Sequence, residues 1–128
     1  MSHSDPTYLA LEYMTRREPE NARTVLEAAI KESQDPGVLN LLGIIYFHEQ
    51  RLLPAQDMFG KALWLDAKNP DHSYNCGRVY MAQSRYALAI PMFRQALELD
   101  PENFYYKEQL EQAEQMLDGQ KSRLEELM

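Results

Sequence analysis

The residues that most often carry out chemistry in proteins are sparse in this chain of 128 residues. Three histidines (His3, His48 and His72) and a single cysteine, Cys76, form neither an H-x3-H nor a CxxC motif, the spacings that hold zinc or support thiol redox chemistry. The sequence also has no Gly-rich phosphate loop and no G-x-S-x-G segment that would position a nucleophilic serine. It therefore predicts no catalytic residue, no metal site and no cofactor, and it favours a protein that is not an enzyme.

Charge and hydropathy exclude further classes of partner and of cellular location. A formal net charge of −7 repels phosphate backbones and anionic lipid, so we expect neither a nucleic-acid nor a membrane partner. No run of 18 or more apolar residues occurs, and the N-terminus lacks the basic start and apolar core of a secretory signal. We expect a cytoplasmic protein in which residues 1–128 form a single domain.

An internal repeat of 34 residues organises the elements that would position any site. Shifting residues 43–69 forward by 34 positions aligns them with residues 77–103 without a gap, and 11 of the 27 aligned residues are identical. The identities include Gly43 with Gly77 and Phe59 with Phe93. A fixed period of this size indicates stacked repeats, each of which buries its apolar face only against its neighbours.

Apolar residues at helical spacing, separated by proline- and glycine-containing breaks, predict seven helices and no strand. The predicted ranges are about 6–17, 19–32, 38–49, 54–66, 71–83, 86–99 and 102–118. Asp5 is the predicted N-cap of the first helix, and Asp118-Gly119 the predicted C-cap of the last. Residues 1–5 are expected to fray, whereas residues 119–128 either continue the last helix or form a separate turn. Pro91 falls inside the sixth helix and is expected to bend it.

These motifs resemble those of the tetratricopeptide repeat proteins. The matching residues are Leu39-x2-Leu42-Gly43-x2-Tyr46 with Ala55-x3-Phe59, then Ser73-x2-Cys76-Gly77-x2-Tyr80 with Ala89-x3-Phe93 and Pro101, and more weakly Pro6-x2-Leu9-Ala10-x2-Tyr13. The tryptophan of the family pattern is absent from every copy. The resemblance implies an all-α fold, a right-handed α-solenoid of stacked antiparallel helix hairpins. Its repeats would span about 3–35, 36–69 and 70–103, followed by a capping helix at about 102–118 and a tail at 119–128.

The small residues of the motif have a packing reason. Gly43 and Gly77 are expected to let the facing helix approach, while Phe59 and Phe93 fill the space that they leave. Cys76 occupies the register of Leu42, which predicts an inert thiol in the core. In the last helix, Glu111 and Glu114 take the places of Gly77 and Tyr80, so that helix is predicted to cap the stack with a polar outer face.

By the same resemblance, the first helix of each hairpin lines a concave groove. The groove-facing positions lie beside the packing stripe, and they predict a set of partner-binding residues: Leu11, Met14, Asn40, Leu41, Ile44, Phe47, Tyr74, Asn75, Arg78 and Met81. Most are apolar, which predicts a protein or peptide partner with apolar anchors. The family's clamp for C-terminal carboxylates is not matched, since its places hold Thr7, Leu11, Leu41, Asp71 and Asn75.

Other interpretations stay open at this point. The counterparts of Trp64 in the other repeats are Lys31 and Glu98, which predicts an exposed contact on the convex side, with lateral packing of the ring as the alternative. Leu41 and Ile44 are either groove or core residues, and the C-terminal tail is a candidate cover for the groove. Small acidic repeat proteins of this kind are also similar to type III secretion chaperones, which shield an exported protein. A structural scaffold that forms homo-oligomers through Trp64 or the last helix is the third alternative.

Overall fold

The computed structural model describes residues 5–128, so His3 and most of the segment expected to fray lie outside the described part of the chain. The described residues form seven α-helices and no strand: α1 Pro6–Thr15, α2 Pro19–Glu32, α3 Pro36–His48, α4 Leu52–Leu65, α5 Pro70–Ala82, α6 Tyr86–Leu99 and α7 Phe104–Leu127. The chain divides into two compact units, unit 1 up to Asp66 and unit 2 from Ala67 to Met128. The finding of an all-α chain of seven helices confirms the prediction.

Aspartate and asparagine side chains cap the N-termini of four of the helices. Asp5 accepts hydrogen bonds from the backbone N–H groups of Thr7 (2.9 Å) and Tyr8 (3.2 Å), which confirms the predicted cap of α1. Asp35 caps α3 in the same way, and Asn69 and Asn103 cap α5 and α7. Because Asp35 is a strong N-cap followed by proline, α3 begins two residues earlier than predicted.

The three turns that join α1 to α2, α3 to α4 and α5 to α6 share one geometry. Each contains a non-glycine residue with positive φ: Arg17 at 61°, Gln50 at 65° and Ser84 at 58°. The next residue donates its backbone N–H to a tyrosine carbonyl five positions earlier: Glu18 to Tyr13 (2.8 Å), Arg51 to Tyr46 (2.9 Å) and Arg85 to Tyr80 (2.8 Å). This is the bond of a Schellman turn, in which glycine usually takes the left-handed position.

Within unit 1, α1 pairs with α2 and α3 with α4, while α3 also contacts α1 and α2. The largest fully buried side chains of this unit are Phe59, Leu26, Leu39 and Leu42. The ring of Phe59 lies directly over Gly43, where an added Cβ atom would come within 2.6 Å of the ring. The close approach of α4 to α3 therefore depends on this glycine, as the repeat pattern predicted.

A polar network joins α2 to the end of α3 in unit 1. The Tyr46 hydroxyl donates a 2.6 Å hydrogen bond to Glu27, and the Arg51 guanidinium lies 4.6 Å from the centre of the Tyr46 ring. Arg23 forms an ion pair with Glu49. Burial of the Tyr46 hydroxyl, reinforced by the bond to Glu27, raises the pKa of Tyr46 to about 12.

This shift gives Tyr46 a measurable role at alkaline pH. The pKa of Tyr46 is higher in the folded state than the unfolded value of about 10. The contribution of the Tyr46 hydroxyl to the free energy of unfolding is therefore fully present below pH 10 and is lost as the pH rises towards 12. Tyr46→Phe removes the titrating group, so its deficit in unfolding free energy relative to the parent should shrink across this window. Urea denaturation of both proteins at several alkaline pH values measures the difference. A deficit that is constant with pH contradicts the assignment, since Tyr106 titrates equally in both proteins.

Within unit 2, α5 pairs with α6, and α7 packs on α6. The core cluster contains Ala89, Ile90, Phe93 and Ala113, with Leu110 and Leu117 of α7 packed against it. Cys76 is also buried, and burial raises the pKa of its thiol to about 11. The prediction of a core thiol at this position is confirmed.

The end of α7 differs from the prediction. The expected C-cap at Gly119 is wrong, because the helix continues through this residue to Leu127. The amide of Gln120 donates to the carbonyl of Ser84 at 3.2 Å, which ties this part of α7 to the turn between α5 and α6. From Lys121 onward every residue is exposed, and strong helix formers there sustain the helix without packing.

Pro91 lies inside α6, which is assigned as one helix from Tyr86 to Leu99. The side chain of Pro91 is exposed. The bend expected from the missing backbone N–H of proline stays a prediction.

Candidate functional site

The histidine, cysteine and carboxylate side chains of the described residues are not gathered into a metal-binding group. Across residues 5–128, no group of three or more His, Cys, Asp or Glu side chains is arranged to hold a metal ion. None of the helices between Pro6 and Leu127 has the length and apolar character needed to cross a bilayer. Accessible apolar side chains gather on two surfaces of unit 1.

The first candidate is a surface of unit 1 that we call the α1/α3 face. It comprises the six predicted groove residues of this unit: Leu11, Met14, Asn40, Leu41, Ile44 and Phe47. On α3 the packing stripe with Leu39 and Leu42 is fully buried, whereas the members of the face are only half-buried. The helix is apolar on both sides, and unit 1 covers only one of them completely.

Leu11 is the most accessible member of the α1/α3 face. It is 51% exposed and lies in a depression of about 490 Å³ that is lined by Tyr8, Leu11, Glu12, Thr15 and Arg16. The ion pair between Arg16 and Glu12, at 2.9 Å, borders this depression. Since α1 contacts α3, the face spans two neighbouring helices and offers apolar side chains on both.

The predicted groove residues of unit 2 lie on α5 and are more involved in packing. The Tyr74 ring contacts the tilted rings of Tyr106 and Phe93, with ring centroids 4.9 Å and 5.9 Å away. Met81 packs against the core cluster, and the Arg78 guanidinium lies 5.8 Å from the Tyr74 ring.

Asn75 is the least accessible member of the predicted set. It is only 5% exposed, so its side chain is less accessible than the sequence led us to expect. The position follows directly after the half-buried Tyr74 on α5, and the sequence pattern placed both on the accessible side. Burial of a polar residue next to the packing stripe has no signature in a single sequence.

The second candidate is a surface of unit 1 that we call the α4 face: Leu53, Gln56, Asp57, Gly60, Lys61 and Trp64. These residues line a depression of about 520 Å³, together with Gln34 and Leu65. Trp64 is 87% exposed and Leu53 is 72% exposed. The ring therefore does not pack laterally, which agrees with the charged counterparts of Trp64 in the other repeats.

Two arginines have a structural role that the sequence analysis did not assign. Arg51 lies 4.6 Å from the Tyr46 ring centre, and Arg85 lies 5.3 Å from that of Tyr80. Each arginine follows its hairpin turn and covers the tyrosine whose carbonyl closes that turn. The sequence contained a signal for this role, because an arginine and a tyrosine occur at the same two positions in both aligned repeats.

Comparison with solved structures gives the same architecture. The first tetratricopeptide domain of Spaghetti (RPAP3), bound to the HSP90 peptide SRMEEVD, has a TM-score of 0.84 at 18% identity, over 88% of this chain and 90% of that one. The first such domain of human RPAP3 has a TM-score of 0.84 at 17% identity, over 91% and 93%. The Sgt2 domain of Aspergillus fumigatus has a TM-score of 0.85 at 17% identity, over 95% and 83%.

Sequence comparison identifies the family. No curated protein matches this chain, but two family models, both described as tetratricopeptide repeat, match residues 9–55 and residues 71–103. Together these matches cover more than half of the chain, and the solved neighbours share its all-α solenoid class. The chain belongs to the tetratricopeptide repeat proteins, as the spacing of its glycines, tyrosines and phenylalanines indicated.

Proposed function

We propose that this protein is an interaction module that binds a peptide or helical segment of another protein through apolar anchors. The α1/α3 face is the binding surface in this proposal. The observation that carries it is the incomplete burial of Leu11, Met14, Leu41, Ile44 and Phe47 on two neighbouring helices. Accessible apolar side chains grouped in this way are typical of contact sites.

The structural neighbours support a peptide partner, since one of them holds the peptide SRMEEVD. That peptide is acidic, and the clamp residues that the family uses for such C-terminal carboxylates are missing from this chain. On α1 their places hold Thr7 and Leu11, and on α3 the place holds Leu41. The proposed ligand is therefore a segment with aliphatic or aromatic anchors, and polar side chains such as Asn40 serve to orient it.

Selection from a displayed library of random peptides against the purified full chain tests this proposal. The selected peptides should be rich in apolar anchors and should weaken in affinity by about tenfold or more for Ile44→Glu with Phe47→Glu, because two charges would enter the apolar contact. The synthetic peptide SRMEEVD serves as a probe that should not bind.

The matched control is Leu88→Glu with Leu99→Glu, which makes the same chemical change on α6 at two exposed leucines. This control should bind the selected peptides like the parent chain. Circular dichroism and thermal unfolding establish that both double variants are folded. Peptides that bind a folded Ile44→Glu, Phe47→Glu variant as tightly as the parent would show that the α1/α3 face is not the binding surface.

A further inference from the structure

Gly60 has no structural explanation within its own chain. Glycine in the interior of a helix destabilises it by roughly 1 kcal/mol relative to alanine. At Gly43 and Gly77 glycine is needed despite this cost, because an added Cβ atom would meet a phenylalanine ring at 2.6 Å and 2.5 Å. At Gly60 an added Cβ atom would meet nothing within 4 Å. The bare backbone of Gly60 faces outward beside the exposed Trp64, and it leaves room for a closely packed external helix.

The α4 face has a symmetric distribution of side chains. Leu53, Asp57, Gly60 and Trp64 follow one another at spacings of four, three and four residues, so they form one line along the helix. Apolar side chains stand at the two ends of this line, and the oppositely charged Asp57 and Lys61 lie between them, 3.2 Å apart. The midpoint between Leu53 and Trp64 falls between Met58 and Phe59, and that between Asp57 and Lys61 falls half a residue away, at Phe59.

We propose that the α4 face is a two-fold interface between two copies of this chain, in which the two α4 helices pack antiparallel across the bare backbone at Gly60. A two-fold axis near Met58–Phe59 places Leu53 against Trp64 of the partner subunit. It also places Asp57 against the backbone of Gly60 of the partner subunit, beside Lys61 of the partner subunit. Each contact occurs twice, as an isologous interface requires.

Charge complementarity favours a second copy over an unrelated protein. The antiparallel arrangement sets two Asp57–Lys61 pairs between subunits, whereas a parallel arrangement would set like charges side by side. A different partner would require no such symmetry about the middle of α4. The α4 helix is about 21 Å long, and one helix pair covers less surface than the roughly 1,600 Å² of a typical stable interface. The dimer is therefore weak and reversible, and it does not depend on binding at the α1/α3 face.

Sedimentation of the full chain over a range of concentrations tests the proposal. The parent chain should shift from monomer to dimer as its concentration rises. Asp57→Lys and Lys61→Asp should each weaken the dimer by about tenfold, because each replaces two attractive pairs with two repulsive ones. An equimolar mixture of these two variants should dimerise at least as well as the parent, because every pair between them is again of opposite charge.

Gly60→Arg tests the close approach of the two helices. Arg94 occupies the equivalent position in the next repeat, and the open space at Gly60 accommodates the side chain within one chain. This variant should stay folded and become monomeric. The control is Leu124→Glu with Leu127→Glu at the exposed end of α7, which should leave the dimer unchanged.

Three outcomes would overturn the proposal. The first is a chain that stays monomeric at millimolar concentration, which would leave the α4 face to a different protein. The second is a dimer that persists in a folded Gly60→Arg variant or is lost only in the α7 control. The third is a mixture of the Asp57→Lys and Lys61→Asp variants that associates no better than either variant alone, since the two-fold pairing demands the rescue.

Discussion

Replacing Phe93 with alanine is expected to lower the free energy of unfolding by about 3–5 kcal/mol. The side chain is fully buried, and its ring fills the space above the backbone of Gly77. Tyr74 stacks on the same ring, with centroids 5.9 Å apart. Gly77 has no side chain with which to fill the vacated volume, and the remaining ring contact of Tyr74, with Tyr106 at 4.9 Å, holds Tyr74 in its own place. The lost free energy of unfolding therefore combines the transfer free energy of the removed ring with the cost of the cavity that it leaves.

The matched control for Phe93→Ala is Phe104→Ala in the same unit. Phe104 is 69% exposed at the start of α7, so the same deletion should change the unfolding free energy by no more than about 0.5 kcal/mol. Urea denaturation followed by far-ultraviolet circular dichroism measures both. Similar losses for the two variants would mean that Phe93 is not a core residue.

The second large effect is expected from Gly43→Val, which should cost about 3 kcal/mol, near the upper end of the range for overpacking. An added Cβ atom at Gly43 would lie 2.6, 2.7 and 3.0 Å from three atoms of the Phe59 ring. Phe59 is fully buried, so the ring cannot move aside without displacing α4 from α3.

Gly60→Val provides the opposite case on α4 of the same unit. The open space around Gly60 accepts the new side chain, and valine is a slightly better helix former than glycine. The unfolding free energy should rise by a few tenths of a kcal/mol. Equal destabilisation by the two valine substitutions would show that the contact between Gly43 and Phe59 does not account for the effect. Thermal unfolding of dilute protein separates this result from any contribution of self-association.

Much of the fold was predictable because close packing constrains the residue types. A glycine opposite a phenylalanine at a repeated spacing leaves few alternatives to a helix hairpin, and the ring contacts at Gly43 and Gly77 confirm this inference. The end of α2 at Glu32 and both ends of α6, at Tyr86 and Leu99, lie where they were predicted. The C-terminal ends of α2 and α6 are set locally, by the proline-containing breaks that follow them.

The parts that were missed depend on tertiary contacts. Gly119 is a common C-cap residue, yet the hydrogen bond from Gln120 to Ser84 and the helix formers beyond it carry α7 to Leu127. On α5, the neighbouring residues Tyr74 and Asn75 looked equally accessible, but only Tyr74 is half-buried and Asn75 is buried. Helical spacing assigns a residue to a side of the helix and does not determine how far the neighbouring elements cover it.

The candidate site was predictable only in kind. The apolar residues of the α1/α3 face and the exposure of Trp64 followed from comparing non-identical positions between repeats. The open surface around Gly60 could not be predicted from the repeats. A glycine in a helix has the same sequence signature whether it makes room for a neighbouring ring or faces solvent. The structure distinguishes them, because Gly43 and Gly77 face a phenylalanine ring and Gly60 faces open space.

The left-handed turns at Arg17, Gln50 and Ser84 bear on the order in which the chain folds. A non-glycine residue in this conformation is disfavoured by roughly 1–2 kcal/mol, so each turn opposes the closing of its own hairpin. A disfavoured turn is a poor nucleus for closure, so we expect the driving force to come from apolar contacts across the hairpin, such as the ring of Phe59 on the backbone of Gly43. We expect the helices to associate through their apolar stripes first and the turns to take their left-handed geometry as a result of that association.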